Sequence, residues 1–193
     1  MTMNDMLKQF GDTGAAIASG SMTYTHPLAD AIISECTDLL GKVPEGQRLL
    51  AYKQEKGITI DIITGKKVDW QVNHEQNKAA IFCPSNTKAV DIQEMTLALA
   101  MSIREIEHKE LGIIQPNLQI SADMGQKILI DYFLDLNMEM CKIVTEFETR
   151  DEENFPKFLD LTKKLGQYEF YRDYVAGKSQ QELWETLKKT LTN

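Results

Sequence analysis

Positive charge, histidine and cysteine are all in short supply in this chain. Its 21 Lys and Arg stand against 29 Asp and Glu, a net charge of −8. A field of that sign repels a phosphate backbone or an anionic membrane surface, so neither nucleic acid nor membrane is expected as a partner. No apolar run approaches the roughly 20 residues a membrane-spanning helix needs, and Met1 to Phe10 lacks the basic start of a secretion signal. The three cysteines, Cys36, Cys83 and Cys141, are odd in number and widely spaced. That pattern fits neither a disulfide framework nor a Cys-x-x-Cys zinc site, and it reads as reduced, buried thiols in a cytoplasmic protein.

The missing motifs exclude reaction classes as well. There is no Gly-x-Ser-x-Gly elbow, no phosphate-binding Gly-rich loop and no Gly-x-Gly-x-x-Gly tract, which removes the usual nucleophilic and nucleotide-dependent enzymes. Of the three histidines, His26, His74 and His108, none stands four residues from another, so the helical zinc pair of a metallopeptidase is absent. His74 reads as part of a polar surface loop. His108 reads as a residue near a helix C-terminus, where a cation favours the dipole.

What the sequence does contain is enough apolar content, 42% of 193 residues, for one core of ordinary size. Residues 1–24, with the small-residue tract Gly14 to Gly20, read as a flexible leader, and 25–193 as a single α+β domain. Leu28, Ile32, Cys36, Leu39 and Leu40 recur at helical spacing after His26-Pro27 and stop at Gly41. Val43-Pro44-Glu45-Gly46 has turn chemistry. Alternation at period two then marks a strand over Ile58 to Thr64, and Thr64-Gly65-Lys66-Lys67 reads as a hairpin turn into a second strand carrying Val68, Trp70 and Val72. A third short run, Ala79 to Cys83, stops at Pro84, giving a small sheet that is at least partly antiparallel.

From Asp91 the period becomes 3.6. Asp91 and Glu94 stand at capping-box separation, and a helix of about five turns ends near Gly112. Its first half is apolar on every side from Leu97 to Met101, which requires burial on more than one face. An extended connector, Ile113 to Ile120, precedes a second long helix capped at Ser121 or Asp123, with Leu129, Phe133, Leu136, Met140, Val144 and Phe147 on one stripe. Phe155 to Leu165, Tyr168 to Val175 and Ser179 to Leu191 read as further helices, the last opened by a Ser179-x-x-Glu182 capping box. Asp151-Glu152-Glu153 is a loop between helices, and the Tyr168, Phe170, Tyr171, Tyr174 cluster packs between helices. The domain thus divides into a core at about 28–150 and a C-terminal helical part at 155–191.

This order of strand, hairpin, short strand ending in Pro84, capped helix, connector and second long helix resembles a minimal zincin fold. More specifically it resembles a family of uncharacterised bacterial zincin-like metallopeptidases. In that family the first long helix reads Leu-Ala-His-Glu-Leu-Arg-His-Ala-Trp-Gln and the second carries Leu-Glu-Ala-Asp-Ala. The corresponding segments here run from Leu99 to His108 and from Leu134 to Met138. Met101 then stands at the first His ligand, Ser102 at the catalytic Glu, Glu105 at the second His, Asp135 at the third-ligand Glu and Asn137 at the supporting Asp. Ala100, an aliphatic Ile103 and Arg104 survive.

The resemblance therefore implies a zincin-like domain with a degenerate site. Without the Glu, a zinc-bound water loses its proton acceptor, and without either His the metal loses its neutral nitrogen ligands. The expected function is that of a catalytically inactive, pseudo-zincin protein with a binding or regulatory role, taking a protein or peptide in the vestigial cleft. No catalytic residue, metal ligand or cofactor is assigned. Two alternatives stand beside it: a hydrolase acting through carboxylates or a divalent cation held by Asp135, Glu139 and Glu105, and a structural or assembly protein using its C-terminal helices around Tyr168 to Trp184.

Overall fold

In a computed structural model of the 193-residue chain, residues 25–113 and 122–192 are described. The leader at 1–24, the connector beyond Ile113 and the cap read at Ser121 lie outside the described residues, as does the side chain of Leu129. Helix α1 spans Ala29–Leu40 and α2 spans Pro44–Glu55. The strands follow as β1 (Thr59–Gly65), β2 (Asp69–Asn73) and β3 (Lys78–Pro84). A 3₁₀ turn, Thr87–Ala89, leads into α3 (Ile92–Leu111). The long α4 (Ala122–Arg150), then α5 (Phe155–Lys164), α6 (Tyr168–Val175) and α7 (Gln180–Thr192) complete an α+β fold.

The turn expected at Val43 to Gly46 is instead the first turn of a helix. Pro44 occupies the opening helical position, where its missing N–H costs nothing and its fixed φ already suits the helix. Gly46 is there for space. A Cβ on it would stand 1.9 Å from the carbonyl oxygen of Leu40, so the glycine lets α2 fold back against the end of α1.

The hairpin expected at Thr64 to Lys67 is not one either. The sheet order is β1-β3-β2, with β1 parallel to β3 and β2 antiparallel to β3, so β1 and β2 are not neighbours. The hairpin lies one connection later, between β2 and β3, through a turn in which Asn77 takes φ 48°, a conformation asparagine tolerates better than most residues. The reason is burial. Ala79, Ala80, Ile81 and Cys83 are all buried, a continuous apolar run that suits a central strand. The alternating Asp69, Gln71 and Asn73 suit an edge.

Helix α3 lies across β2 and β3 and against α1. Asp91 caps it, its Oδ1 accepting the Glu94 N–H at 3.1 Å, and Gly112 ends it at φ 70°. From Met95 to Ile103 every residue is buried, as the all-round apolar sequence requires. The core continues from the sheet through Met140, Val144 and Phe147 of α4 into Phe158, Leu161, Phe170, Tyr171, Leu183 and Leu187 of the C-terminal helices. Phe147 and Phe158 stack at 4.3 Å between centroids. The Ser179 capping box is complete: Ser179 N–H donates to the Glu182 carboxylate at 2.9 Å, and the Glu182 N–H to Ser179 Oγ at 3.4 Å.

Candidate functional site

Residues i, i+4 and i+7 of a helix share one face, and on α3 that stripe is Met101, Glu105 and His108. It meets three polar partners. From edge strand β2, the Trp70 indole Nε1 donates to Glu105 at 2.7 Å. From α4, the Asp135 carboxylate lies 2.7 Å from His108 Nε2, and the Tyr132 ring stands edge-on to the imidazole with centroids 5.2 Å apart. Glu105 and His108 are almost completely buried, at 4% and 1% exposure.

His108 stands in the last turn of α3, as its position suggests, and there it is buried against Asp135 and Tyr132. Its Nδ1 is enclosed with no hydrogen-bond partner. His74 departs from expectation: it lies in the β2–β3 turn, but its ring is half-buried and both ring nitrogens are closed off from solvent. Burial, helped by the neighbouring charges of His108 and Lys109, pushes its pKa below the usual histidine range. His26 is structural, with Nδ1 accepting the Leu28 N–H and Nε2 facing the Pro84 carbonyl, each at 3.2 Å.

A second polar cluster lies along the adjoining face of α3, where α2 and α4 converge. Arg104 holds Asp135 with a bidentate pair, Nε to Oδ2 and Nη2 to Oδ1, each at 2.8 Å, and donates to Glu107 at 2.6 Å. Arg48 of α2 donates to both Glu107 oxygens at 2.6 and 3.0 Å and reaches Glu139 at 3.4 Å. Glu45, in the first turn of α2, accepts from Arg48 and from Lys142. Its own backbone N–H donates to Glu146 at 2.7 Å. Two guanidinium groups thus tie three helices through carboxylates of all three.

The electrostatics follow from this placement. Burial opposes ionisation of Asp135, but the hydrogen bonds from His108 and Arg104 outweigh it and hold the carboxyl at about 2. Glu107 is likewise held low by Arg48 and Arg104 against its burial. Glu45 and Glu139 split apart: burial opposes ionisation of both, but the Glu139, Lys142 and Arg48 side chains outweigh it at Glu45, which is held low. Burial and the Glu45 carboxylate push Glu139 up to about 7.

The residues singled out by the zincin resemblance are placed as follows. Met101 and Ser102 are buried, and the Ser102 hydroxyl donates to the Leu99 carbonyl of its own helix at 2.8 Å. Glu105 is engaged by Trp70 and Asp135 by Arg104 and His108. Asn137 donates to the Phe133 carbonyl at 2.8 Å, a bond within α4. Among the described residues, no three His, Cys, Asp or Glu side chains are arranged to hold a metal ion. Cys36, Cys83 and Cys141 are free and buried, with burial raising the thiol of each.

Sequence reasoning missed Glu45, Arg48 and Glu107, and had Glu139 only as a possible cation holder. Arg48 and Glu107 look like solvated helix residues in a chain rich in charge. The one signal available was that Glu107 and His108 continue the buried stretch of α3 one turn past the last aliphatic, Ile106. Comparison of the chain with protein-family models, with curated proteins and with solved structures returns no match.

Proposed function

We propose that this chain is a zincin-like domain without peptidase chemistry that works by binding, with a protein or peptide as its partner in the cytoplasm of a bacterial cell. The observation that supports this reading is the engagement of every polar group at the positions where the family resemblance puts metal chemistry. Ser102 bonds its own helix, Glu105 takes the indole N–H of Trp70, and Asp135 is saturated by a guanidinium fork and an imidazole. A carboxylate so held would have to break charge-assisted bonds to reach a cation. The negative charge of the chain favours a partner with a basic surface. No helix among the described residues is long and apolar enough to cross a membrane.

Elemental mass spectrometry on untagged protein, purified without chelators, tests the reading. Substoichiometric zinc is expected, and one equivalent per chain overturns it. The alignment has its own test. On a zincin scaffold, Met101→His with Ser102→Glu and Glu105→His creates a zinc site, so the folded variant should bind zinc far more tightly than wild type. Because Ser102 has no room around it, Met101→His with Glu105→His alone serves as the milder variant. Folded variants that bind zinc no better than wild type refute the correspondence of residues.

A further inference from the structure

His26 sits where three elements meet. Thr25 pairs antiparallel with Ile63 of β1, an edge strand of the sheet, and the His26 N–H donates to the Ile62 carbonyl at 2.9 Å. Three residues on, Ala29 opens α1. The imidazole is 1% exposed and joins the start of α1 to the end of β3. Its Nδ1 takes the Leu28 N–H, and its Nε2 meets the carbonyl oxygen of Pro84, each at 3.2 Å.

These two partners fix the form of the ring. A backbone N–H can only donate, so Nδ1 carries a lone pair, and a carbonyl can only accept, so Nε2 carries the hydrogen. The neutral Nε2–H imidazole fits this setting. The imidazolium, with a hydrogen on each nitrogen, does not: a ring N–H would stand against the Leu28 N–H in an enclosed space, losing the bond and burying a charge. We propose that His26 is a pH-operated clasp that holds the segment Thr25 to Leu28 on the edge of the sheet and lets it go when the imidazole takes a second proton.

The elements around the ring offer the charged form no counter-ion. Both polar partners of His26 are backbone groups. On α1 the carboxylates Asp30, Glu35 and Asp38 are exposed, and burial keeps the Cys36 thiol neutral. On β1, Asp61 is exposed and already paired with Lys78 of β3 at 2.7 Å. At the end of β3 stands Cys83, another thiol that burial keeps neutral, and the turn beyond it carries a cation, Lys88. Water solvates the imidazolium only when the segment swings out. That motion frees the Ile62 carbonyl and opens the edge of β1 beside it, a surface on which another strand can pair. The clasp rests on neither the binding reading above nor the zincin resemblance.

Two measurements on the intact chain test it. The first reads the form of the His26 ring at pH 7.5 from its nitrogen NMR shifts, assigned by through-bond correlation to its own backbone. The neutral Nε2–H form is expected, and any other form overturns the proposal. The second is hydrogen exchange of the His26 and Leu28 amides, corrected for intrinsic exchange, with the buried Val144 and Phe147 of α4 as references. A ring that takes its second proton only when released, at the ordinary histidine value near 6.5, raises opening about tenfold between pH 7.5 and pH 5.5. His26→Asn keeps an acceptor for the Leu28 N–H, since an Asn side chain bonds the backbone two residues on, and has nothing to titrate. Its opening should stay level. Level exchange in wild type, an equal rise in His26→Asn, or an equal rise at Val144 and Phe147 overturns the clasp. If His26→Asn does not fold, the ring form and the wild-type comparison with α4 decide the matter.

Discussion

Replacing Arg104 by Met keeps most of the volume of the side chain and removes the guanidinium that joins α3 to α4. Wild-type Arg104 is mostly buried and makes three hydrogen bonds of 2.8 Å or shorter, two to Asp135 and one to Glu107. Removing one partner of a buried pair typically costs about 3–5 kcal/mol, because the charge left behind is unpaired. Here the remainder is softened, since His108 still holds Asp135 and Arg48 still holds Glu107. About 2–3 kcal/mol is therefore expected, or a fall in Tm of roughly 5–10 °C at about 2–4 °C per kcal/mol for a chain of this length. The loss has a distinctive pH dependence. A carboxyl held at about 2 in the fold and near 3.9 when unfolded contributes stability that is present above the unfolded value and lost as pH falls through the folded one, worth about 2 kcal/mol at neutral pH. The Arg104→Met penalty measured by urea titration should accordingly shrink between pH 7 and pH 3 as Asp135 takes a proton. Adding Asp135→Leu to Arg104→Met should recover at least half of it, because the stranded charge is then gone. A single variant within 0.5 kcal/mol of wild type, or a penalty unchanged at acid pH, would refute the argument (thresholds on the order of the usual surface-substitution scatter).

Three further outcomes follow from the same contacts. Gly46→Ala places a methyl 1.9 Å from the Leu40 carbonyl oxygen, which forces α1 and α2 apart. It should cost about 3 kcal/mol or more in chemical denaturation, and an unchanged midpoint shows that the helix junction can move. Trp70→Phe keeps a ring on β2 but withdraws the indole N–H from the buried Glu105. The expected cost is about 1–3 kcal/mol in chemical denaturation, and a variant as stable as wild type contradicts the hydrogen-bond account. Cys36, Cys83 and Cys141 are buried and their thiols are raised in pKa, so a thiol-disulfide reagent at pH 8 should label none of them in the native protein and all three in denaturant. Prompt native labelling of any one places it at the surface.

The helices were the most legible part of the molecule. Asp91 with Glu94, Gly112 and Ser179 with Glu182 mark helix ends through bonds that span three or four residues, and such local chemistry is written in local sequence. The all-round apolar stretch of α3 announced its burial in the same way. Helix α2 was misread because Pro44 and Gly46 carry two meanings. Either can make a turn, and only the close approach of the Leu40 carbonyl shows that Gly46 is there to let two helices meet. The strand order was misread because hairpin signals compete locally: Thr64-Gly65-Lys66-Lys67 resembles a turn, yet β3 is the strand whose apolar run needs neighbours on both sides.

The polar sites were the least legible. Met101, Ser102, Glu105, Asp135 and Asn137 were picked out by alignment to a motif, and the structure shows what each one touches. The more tightly organised cluster lies one face over, in Glu45, Arg48, Arg104, Glu107 and Glu139, of which only Arg104 falls on a motif position. His108 illustrates the difficulty: its sequence position predicts only a residue near a helix C-terminus, while its partner Asp135 is 27 residues away on another helix.

What the sequence by itself determined is every element described except α2, their approximate ends and the α+β class, because capping, periodicity and chain stiffness act over a single turn or strand. What only the tertiary structure decided is which strands are neighbours and which charges meet. Arg48 and Glu139 are 91 residues apart in the chain, and no local rule distinguishes them from the many other charged residues. Their pairing exists because α2 folds back at Gly46 and α3 carries Arg104 and Glu107 into the same buried seam, where a charge without a counter-charge would be too costly to keep.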